Sequence, residues 1–562
     1  MRIIKHSADF CVVGGGMAGL CAALAAARHG IKVVLIQDRG VLGGNASSEV
    51  RMWICGAHGK DNRETGILEE IMLENFYRNP QHSYPLWDAV LYEKAIREEN
   101  LTLLLNTSCL DATTENDRIL SVKAWQSPAE TMHEVQATFF ADCSGDSILA
   151  PLSGAHYRYG REASTEFSEK IEPLDADRKT MGMSCIFEVR ETELPQKFTP
   201  PEWAYKYPTD ADIPFREHDL STNYWWIETG GEGDCIHDTD RCRDELYKIV
   251  LGVWDHIKNH GDHGAENYQL EWIGMLPGKR ESRRYVGEYT ITQNDVEAGG
   301  KFDDVVAYAG WSMDDHFPAG FYHKDSYPTI FHPAPSPWGI PFGALHSENI
   351  KNLLFSGRNI SVTHAALSSS RVMATCAILG QAIGTAAAQM VQNDETTDTI
   401  DIKALQSTLM DDDCFLPYKK RSVSKLSKAI RCTSELVRNG IDRGEENCWI
   451  GKFGDYIEYR SEKPFKLSGV RLVFDSDLNR PYKNMPCVIR LHEDSHKLPK
   501  TLIKDFDLLL YKEDGSIKTI TYRDMHARFL RIPLNGDYTA VRLVPIASHG
   551  DSNLRVFDFE IY

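Results

Sequence analysis

The feature that most constrains the fold is a glycine-rich turn between two apolar strands near the N-terminus. Residues 8–13 (ADFCVV) predict a short buried strand, and the turn Gly14-x-Gly16-x-x-Gly19 follows it. A helix of small residues then ends near Gly30, and residues 32–36 predict a second strand. The glycines permit a tight turn, close approach of a pyrophosphate, and close helix–strand packing, while the helix N-terminus offers N–H groups to phosphate. This order predicts a βαβ nucleotide-binding unit.

The end of the second strand leaves the identity of the nucleotide open. Where a ribose-binding acid is expected, the strand ends in Gln37, followed by Asp38 and Arg39. An arginine at this place suits the 2′-phosphate of NADP, so an NADP site is one interpretation. A second glycine doublet opens the segment Gly43–Ser47, and a plain NAD domain does not need it. The doublet favours FAD, whose ribityl-phosphate and ring must pass close to the backbone beyond the first turn.

Two later strand–glycine turns resemble parts of two-dinucleotide-binding flavoproteins. ADCSGDSILA (141–150) resembles the turn that closes the dinucleotide pocket. LLFSGRNIS (353–361) precedes a small-residue helix predicted at 370–390. In such flavoproteins a helix N-terminus lies under the pyrimidine edge of the flavin. Its dipole stabilises the negative charge that develops on reduction, typically by about 0.3–1 kcal/mol.

Five segments together carry a family resemblance: QDRGVLGGNASSEVRMW, GAHYRYGREASTEF, YWWIETGGEGD, LPGKRESRRYVGEY and SGRNISVTHAALSSSRVMATCAILGQAIGTAAA. Across roughly residues 8–410 the chain resembles the FAD-dependent oxidoreductases of succinate dehydrogenase/fumarate reductase type. More closely, it resembles a bacterial branch of flavoproteins often associated with carbohydrate utilisation. The last 140 or so residues resemble discoidin-like or galactose-binding-like sandwiches only loosely.

The resemblance implies FAD as the cofactor and a set of contacts with it. The histidine that attaches flavin covalently in membrane-bound succinate dehydrogenases, just before the glycine doublet, is absent, so we expect non-covalent FAD. The implied contacts are the pyrophosphate at Gly14, Gly15, Gly16, Met17, Ala18 and Gly19; the adenosine ribose at Gln37 and Asp38, beside Arg39; the adenine at the backbone of Cys109; the flavin at Gly43, Gly44, Asn45, Ala46, Ser47, Ser48 and Arg51; and the closing turns at Ser144, Gly145, Asp146, Gly357, Arg358, Ser370, Arg371 and Val372.

The chain is too long for one ordinary core, so several domains are expected. The predicted fold class is α/β: a three-layer Rossmann-type FAD-binding domain formed by residues 1–160 and 340–410, an inserted α+β substrate domain at 161–339, and a C-terminal β-sandwich at 415–562. Within the insert, residues 242–261 predict an amphipathic helix. In the sandwich, strands are predicted at 470–475, 487–491 (CVIRL), 540–545 and 554–562.

Charge and cysteine usage exclude several classes of partner. A net charge of −19 opposes binding to nucleic acid or to an anionic membrane, because either needs a basic surface. The 13 cysteines include no CxxC pair, which predicts reduced thiols rather than disulfides or a zinc site, and no metal is expected. The sequence contains no stretch of 18 apolar residues, so no membrane span is predicted. We therefore expect a cytoplasmic protein with a small-molecule substrate and an electron acceptor that the sequence does not indicate.

Two histidines and one of two arginines are candidates for the reacting groups, because flavin chemistry requires a positioned substrate carbon and a group that transfers a proton. His364, just after the SGR turn, is the first candidate for a general base, and His58 is the second. In the RESRR segment (280–284), Arg283 or Arg284 is a candidate for binding an acid group. The histidines at 316, 323 and 332 are expected nearer the entrance.

The aromatic-rich segment 308–342 favours a carbohydrate substrate, since ring faces stack on the C–H surfaces of sugars. The leading hypothesis is an FAD-dependent dehydrogenase that oxidises a sugar or glycoside. The alternatives are fumarate reductase-like reduction of an unsaturated acid, redox-neutral elimination or hydrolysis of a glycoside, an NADP-dependent dehydrogenase, and a carbohydrate-binding protein with a vestigial flavin domain.

Overall fold

A computed structural model describes residues 2–220, 222–480, 483–484 and 497–562. The strand predicted at 487–491 lies outside the described residues. The strands, in chain order, are β1 (Arg2–Val13), β2 (Val33–Ile36), β3 (Ile54–Cys55), β4 (Leu101–Leu104), β5 (Thr107–Glu115), β6 (Arg118–Gln126), β7 (Thr131–Asp142), β8 (Tyr157–Arg158), β9 (Met183–Ser184), β10 (Phe187–Glu191), β11 (Glu228–Thr229), β12 (Tyr268–Ile273), β13 (Gly278–Lys279), β14 (Arg284–Tyr285), β15 (Val305–Ala309), β16 (Met313–His316), β17 (Thr329–His332), β18 (Trp338–Pro341), β19 (Leu353–Phe355), β20 (Arg431–Cys432), β21 (Trp449–Gly451), β22 (Ile457–Phe474), β23 (Lys483–Asn484), β24 (Ile503–Tyr511), β25 (Ile517–Tyr522), β26 (Phe529–Ser548) and β27 (Leu554–Ile561). The helices are α1 (Met17–Arg28), α2 (Ile67–Arg78), α3 (Tyr84–Ile96), α4 (Leu149–Ser153), α5 (Ser164–Phe167), α6 (Thr239–Asn259), α7 (Gln293–Glu297), α8 (His364–Ser370), α9 (Met373–Asn393), α10 (Ile402–Asp411) and α11 (Lys425–Ala429).

A mixed sheet organises the N-terminal part of the chain. Strands β4, β2, β1, β7 and β19 are parallel neighbours, and β5 and β6 extend the sheet as an antiparallel pair beside β7. The first half of β7 pairs with β6 and its end pairs with β19. The α/β fold class and the Rossmann-type arrangement are therefore confirmed. Because the parallel strands end at one edge, the turns that follow β1, β2, β7 and β19 meet there.

Helices α1 and α9 pack against each other through small residues. Gly380 and Gly384 of α9 let the backbones approach closely: a β-carbon added at Gly384 would lie 2.2 Å from the carbonyl oxygen of Ala22, and one at Gly380 would lie 2.0 Å from that of Ala18. Among the described residues, α9 alone is long and apolar enough to cross a membrane, and 94% of the window concerned is buried within the protein.

Replacing Gly384 by alanine should lower the free energy of unfolding by about 1–3 kcal/mol, because the added methyl group must push apart two packed backbones. Urea unfolding of the two proteins measures the difference. Gly233→Ala is the matched control, since its new β-carbon would meet only the ends of the Asp238 and Arg241 side chains. Equal losses in both variants would contradict the packing argument.

The region between β7 and β19 contains a second buried cluster. Helix α6, close to where the sequence predicted a helix, contributes Trp254 to this cluster, together with Trp226 and with Phe187 of β10. Residues 285–313, by contrast, contribute Tyr285, Ile291 and neighbouring side chains to the same buried cluster as β1 and α9. The insert predicted at 161–339 is thus divided between two cores, and the domain boundaries remain a prediction.

The C-terminal part is a β-sandwich with its own buried cluster. Strands β22 and β26 are long and irregular in register; they pair with each other, and β22 also pairs with β27 while β26 also pairs with β24. Phe474 of β22 contacts Phe506 of β24 with ring centroids 5.3 Å apart, although these two strands are not paired with each other. Buried arginines attach the sandwich to the end of α10: Arg471 Nε donates to the Asp411 carbonyl at 2.9 Å, and Arg528 pairs with Asp413 at 3.0 Å.

Two element boundaries differ from the sequence prediction. Strand β1 begins at Arg2 rather than near residue 8, because residues 2–8 pair with β7 through the backbone while their side chains show no buried face. The helix predicted at 370–390 is interrupted before Met373, since Val372 adopts an extended conformation and separates α8 from α9. Ser370 consequently belongs to the end of α8.

Candidate functional site

A long cavity of about 540 Å³ runs along the carboxyl ends of the parallel strands. Its first part is lined by the turns after β1, β2, β7 and β19, and its far part is lined by segments of the insert. Of the residues that the family resemblance implies for FAD, the cavity is lined by Gly14, Gly16, Met17, Ala18, Gln37, Asp38, Arg39, Gly43, Gly44, Asn45, Cys109, Ser144, Gly145, Asp146, Gly357, Arg358, Arg371 and Val372.

The glycine turn has no room for side chains at two of its positions. Gly14 has a φ of +102°, and a β-carbon there would lie 2.5 Å from the backbone of Cys143. A β-carbon on Gly19 would lie 1.8 Å from the Gly14 carbonyl oxygen, so Gly19 serves helix packing and does not line the cavity. At Gly16 the nearest atom to an added β-carbon is the Gly44 Cα at 3.7 Å. The open space beside Gly16 therefore belongs to the cavity.

Gln37 braces the glycine turn. Its Oε1 accepts a hydrogen bond from the Gly15 N–H at 2.7 Å, and its Nε2 donates to the Val41 carbonyl at 3.0 Å. Gly15 is thus held behind the turn and does not line the cavity. Asp38, whose side chain is 63% exposed, is the acid at this end. The ribose contacts predicted for Gln37 and Asp38 remain predictions.

Asp146 fixes the closing turn after β7. Its carboxylate accepts hydrogen bonds from Arg358 at 2.7 Å, from Lys279 at 2.7 Å and from Ser282 at 2.8 Å. Burial would raise the pKa of Asp146, but Arg358 and Lys279 outweigh it and lower the pKa to about 2. The ionised carboxylate of Asp146 therefore links the turn after β7 to β13 and to the loop after β19.

The cavity fits a dinucleotide with its phosphates at the glycine turn. Helices α1 and α9 both begin at the cavity, at Met17 and Met373, and neither has a side-chain cap on its first turn. Their N-terminal N–H groups are therefore available to phosphate and to an electron-rich ring edge. The residues present suit FAD in the orientation that the glycine doublet predicts.

The far part of the cavity is a chamber with aromatic walls and a charged floor. Trp225, Trp311, Tyr327 and Phe331 supply the rings, and the charged floor consists of Arg280, Asp314, His316 and Arg371. The ring of Trp225 meets that of His316 edge-on, with centroids 5.3 Å apart. We refer to this part as the substrate chamber.

His316 and Asp314 of the chamber floor form a carboxylate–histidine–carboxylate array with Glu228, which is fully buried and does not line the chamber. His316 Nδ1 lies 3.0 Å from Glu228, and its Nε2 lies 3.4 Å from Asp314. Arg280 pairs with Glu228 at 2.8 Å, and Arg371 pairs with Asp314 at 3.1 Å. Burial would raise the pKa of each acid, but Arg280 and His316 hold the pKa of Glu228 below its usual value, and His316 and Arg371 hold that of Asp314 well below its usual range. Both acids are therefore ionised.

His364 lies behind this floor and does not line the chamber. Its Nδ1 contacts Glu281 at 2.9 Å and its Nε2 contacts Asp315 at 3.2 Å, with the ring almost wholly buried. Burial would lower the pKa of His364, but these two carboxylates raise it well above 6.5. The general-base role of His364 therefore stays a prediction, for a ring that contacts two acids and does not reach the chamber.

The stability that His364 contributes should depend on pH. Because its folded-state pKa is raised above the unfolded value of about 6.5, this contribution is complete below pH 6.5 and is lost as the pH rises through the folded-state value. The difference in unfolding free energy between wild type and His364→Gln, of about 3–5 kcal/mol for a broken buried pair, should therefore shrink from pH 7 to 10. Urea unfolding measures it. A difference that stays constant or grows with pH would be the contrary result.

His58 and Arg283, the other predicted reacting residues, also lie outside the lining of the cavity. His58 meets the edge of Trp311, with ring centroids 4.5 Å apart. The guanidinium of Arg283 lies 5.4 Å from the centre of the Tyr157 ring and donates to the Asp146 carbonyl. His58 contacts the lining residue Trp311, and Arg283 contacts the lining residue Asp146, but neither side chain itself lines the chamber.

Several residues predicted to contact the flavin instead hold its loop. Ala46 accepts a hydrogen bond from Trp87, Ser47 Oγ donates to the Gly44 carbonyl at 2.7 Å, and the Ser48 N–H donates to Asp88. Arg51 is enclosed by the rings of Tyr84 and Trp272 and pairs with Glu188 at 2.5 Å. Ser370 is buried at the end of α8. None of these five residues lines the cavity.

Two residues of the chamber floor, Arg280 and Asp314, were not assigned a role from the sequence, and His316 was expected nearer the entrance. Arg280 is the arginine of the RESRR segment that reaches the chamber, whereas Arg284 is fully buried against Glu162 and Glu281. Asp314 and His316 are two residues apart on β16, so they share one face of that strand. This period-two spacing was the available signal.

A cavity of this form, at the carboxyl edge of a parallel sheet and continuous with a charged chamber, defines a dinucleotide-dependent oxidoreductase. The chain belongs to the FAD dependent oxidoreductase family, whose model matches residues 9–409. It is an FAD-dependent enzyme, and the predicted family resemblance is confirmed at this level.

Other comparisons add likenesses of low identity. None of the curated proteins matches the chain. A geranylgeranyl bacteriochlorophyll reductase-like protein from Thermoplasma acidophilum is 12% identical with a TM-score of 0.35, over 73% of this chain and 85% of that one. E. coli quinol fumarate reductase FrdA is 12% identical with a TM-score of 0.27, over 74% of each chain. The family 32 carbohydrate-binding module from Streptococcus pneumoniae EndoD is 18% identical with a TM-score of 0.19, over 24% of this chain and 92% of that one. The identification rests on the family match.

Proposed function

We propose that this enzyme oxidises a carbinol of a neutral, sugar-like molecule held in the substrate chamber, with His316 as the general base. When bound, FAD supplies a hydride acceptor. The observation that carries the proposal is the pair His316 and Asp314 on the chamber floor, with Glu228 buried at Nδ1 of His316. It is the arrangement that a base needs if it is to remove a hydroxyl proton while the carbon loses its hydride.

His316 lines the substrate chamber, whereas His364 does not. In the form that acts as a base, Nδ1–H donates to Glu228 and Nε2, on the side of Asp314, carries the lone pair. After proton transfer, the imidazolium is stabilised by Glu228 on one side and Asp314 on the other. The carboxylate of Asp314 is also an acceptor for a second hydroxyl of the substrate.

The charges of the chamber favour a neutral substrate over a dicarboxylate. Both arginines of its floor are paired, Arg280 with Glu228 and Arg371 with Asp314, so their charges are balanced before a substrate enters. A dicarboxylate would have to approach two ionised acids, which costs Coulomb energy in a buried site. The aromatic side chains at 225, 327 and 331 offer faces for the C–H surface of a sugar.

Reduction of an unsaturated acid is the second candidate, because Arg280 and Arg371 are two cations on one chamber floor. A redox-neutral elimination or hydrolysis of a glycoside would use the same base, and it would consume no external acceptor. An NADP-dependent reaction would use Arg39 at the adenosine end. Glycan binding by the sandwich alone would leave the chamber without a role.

The proposal also covers the mode of FAD binding, the localisation and the partners of the enzyme. We infer that FAD is bound non-covalently, that the protein is a cytoplasmic enzyme of bacterial carbohydrate metabolism, and that its partners are the substrate and an electron acceptor rather than nucleic acid or membrane. The net charge of −19 and the sandwich at 415–562 support this setting. The three-domain division also remains part of it.

The test is anaerobic titration of the FAD-loaded protein with neutral sugars, glycosides and organic acids, followed by absorbance of the flavin. We expect at least one neutral sugar or glycoside to bleach the flavin, and no dicarboxylate to bleach it or to reoxidise the reduced protein. Reoxidation by fumarate or a related unsaturated acid, without bleaching by any sugar, would replace the proposal by its second candidate. NADPH titration of the same sample should show no binding.

A further inference from the structure

Three histidines and an aspartate converge at one end of helix α6, outside the lining of the cavity. They are Asp210, His218, His256 and His263, and one ligand atom from each lies within 4.8 Å of every other. We refer to them as the histidine cluster. None of them lines the cavity, and the proposed chemistry does not use them.

The distances within the cluster match those between ligands of a tetrahedral metal ion. Asp210 Oδ1 lies 3.1 Å from His256 Nε2, 3.6 Å from His218 Nε2 and 3.9 Å from His263 Nε2. Tetrahedral zinc, with bonds of about 2.0–2.1 Å, places neighbouring ligand atoms roughly 3.4 Å apart. The three distances from Asp210 therefore lie within about 0.5 Å of the tetrahedral value, and no two ligand atoms of the cluster are more than 4.8 Å apart.

Two of the rings are oriented as ligands are. His256 Nδ1 contacts the Tyr207 carbonyl at 2.7 Å, and His218 Nδ1 contacts the Arg216 carbonyl at 2.7 Å. A carbonyl only accepts, so each Nδ1 carries the proton and each Nε2 keeps its lone pair toward the cluster. A backbone carbonyl on the outer nitrogen is the usual partner that orients a metal-bound imidazole.

The inner nitrogens have no other use in the described structure. His256 is 1% exposed, and its Nε2 is buried without a hydrogen-bond partner, as is the Nε2 of His263. The contact between His256 Nε2 and Asp210 is close but is not aligned for a hydrogen bond. Ligand nitrogens around a shared ion likewise point toward a common centre rather than at one another. Without an ion, burial of such groups is costly.

We propose that the histidine cluster is a structural zinc site with three imidazole ligands and one carboxylate. Imidazole and carboxylate in a tetrahedral set suit zinc, and the negative end of the α6 dipole favours a cation there. This proposal departs from the expectation of no metal. Sequence spacing could not indicate it, because the ligands come from two loops and a helix without a short ligand pair.

The location of the site gives it a structural role. Between β10 and β11, the only helical turn among the described residues is Asp210–Asp212, so this segment depends on tertiary contacts. Zinc would join it, through Asp210 and His218, to the end of α6 and the turn after it. The segment leads directly to Trp225, which lines the substrate chamber, and to Glu228, which pairs with Arg280 of the chamber floor.

The test is the metal content of the full-length protein, purified without an affinity tag or chelator, incubated with zinc and dialysed. We expect about one zinc per chain in wild type, and at least a tenfold loss of zinc affinity in Asp210→Ala and His218→Gln. His260→Gln is the control, because His260 lies at the same end of α6 but pairs with Asp255. Circular dichroism and FAD content verify that each variant is folded.

Zinc X-ray absorption of the wild type decides the matter even if the variants fail to fold. We expect a four-coordinate shell of nitrogen and oxygen with the scattering pattern of three imidazoles. No retained zinc, a shell that includes sulfur, or equal zinc affinity in folded His218→Gln and His260→Gln would overturn the proposal. None of these outcomes depends on the substrate or on the reaction.

Discussion

Replacing His316 by glutamine should slow reduction of the bound flavin by substrate about 10²- to 10⁴-fold while the FAD content stays unchanged. Glutamine retains the size and hydrogen-bonding capacity of the side chain, but it cannot accept a proton, and the range is that of a lost general base. His316 is the only histidine among the described residues that line the cavity, and its Nδ1 contacts Glu228. Stopped-flow absorbance of the flavin under anaerobic conditions measures the rate.

The matched control is His156→Gln. His156 also pairs with a glutamate, Glu348 at 2.7 Å, but its side chain is 60% exposed at the surface. We expect this variant to reduce its flavin at the wild-type rate. A His316→Gln enzyme that is within threefold of wild type would show that the proton leaves by another route, and the role assigned to the chamber floor would then be wrong.

Replacing Gly16 by alanine should weaken FAD binding about 10- to 100-fold with little effect on the unfolding of the FAD-free protein. Gly16 has extended backbone angles that any residue adopts, and an added β-carbon would meet no protein atom closer than 3.7 Å. The methyl group would instead occupy the space at the start of α1. Displaced phosphates would lose charge-assisted hydrogen bonds to N–H groups, each worth about 1.5–3 kcal/mol.

Titration of each FAD-free protein with FAD, followed by quenching of flavin fluorescence, gives the dissociation constants. Gly40→Ala is the control in the neighbouring loop, since its β-carbon would meet only the end of the Asn106 side chain at 3.3 Å. If Gly16→Ala bound FAD as tightly as wild type and Gly40→Ala, the phosphates would not lie at this turn. Weaker binding accompanied by a matching loss of stability would point to misfolding instead.

The cofactor half of the site was predictable because its determinants are local. Gly14 and Gly16 lie in one turn, and the strands on either side show their burial directly in their apolar residues. The same holds for the turn at Ser144–Asp146, which follows a buried strand. Backbone geometry of this kind depends on a few adjacent residues, so a single sequence is enough to place it.

The reacting half was not predictable, because tertiary contacts decide it. His364 and His316 are both histidines near flavin-type motifs, and only the fold places the first between Glu281 and Asp315 and the second on the chamber floor. Arg280 and Arg283 are three residues apart, yet only Arg280 reaches the chamber. Tertiary packing of the insert determines these positions, and the two-residue spacing of Asp314 and His316 on β16 is the one local signal for them.

The most direct test of the account is a crystal structure of the FAD-loaded protein. The account predicts adenine against Cys109, phosphates at Gly14–Ala18, and an isoalloxazine ring between the Gly43–Gly44 doublet and the start of α9, with its N5 facing the side of the chamber that holds His316. Density for the ring at the Asp38 end, or a ring whose N5 faces away from Glu228, His316 and Asp314, would contradict it.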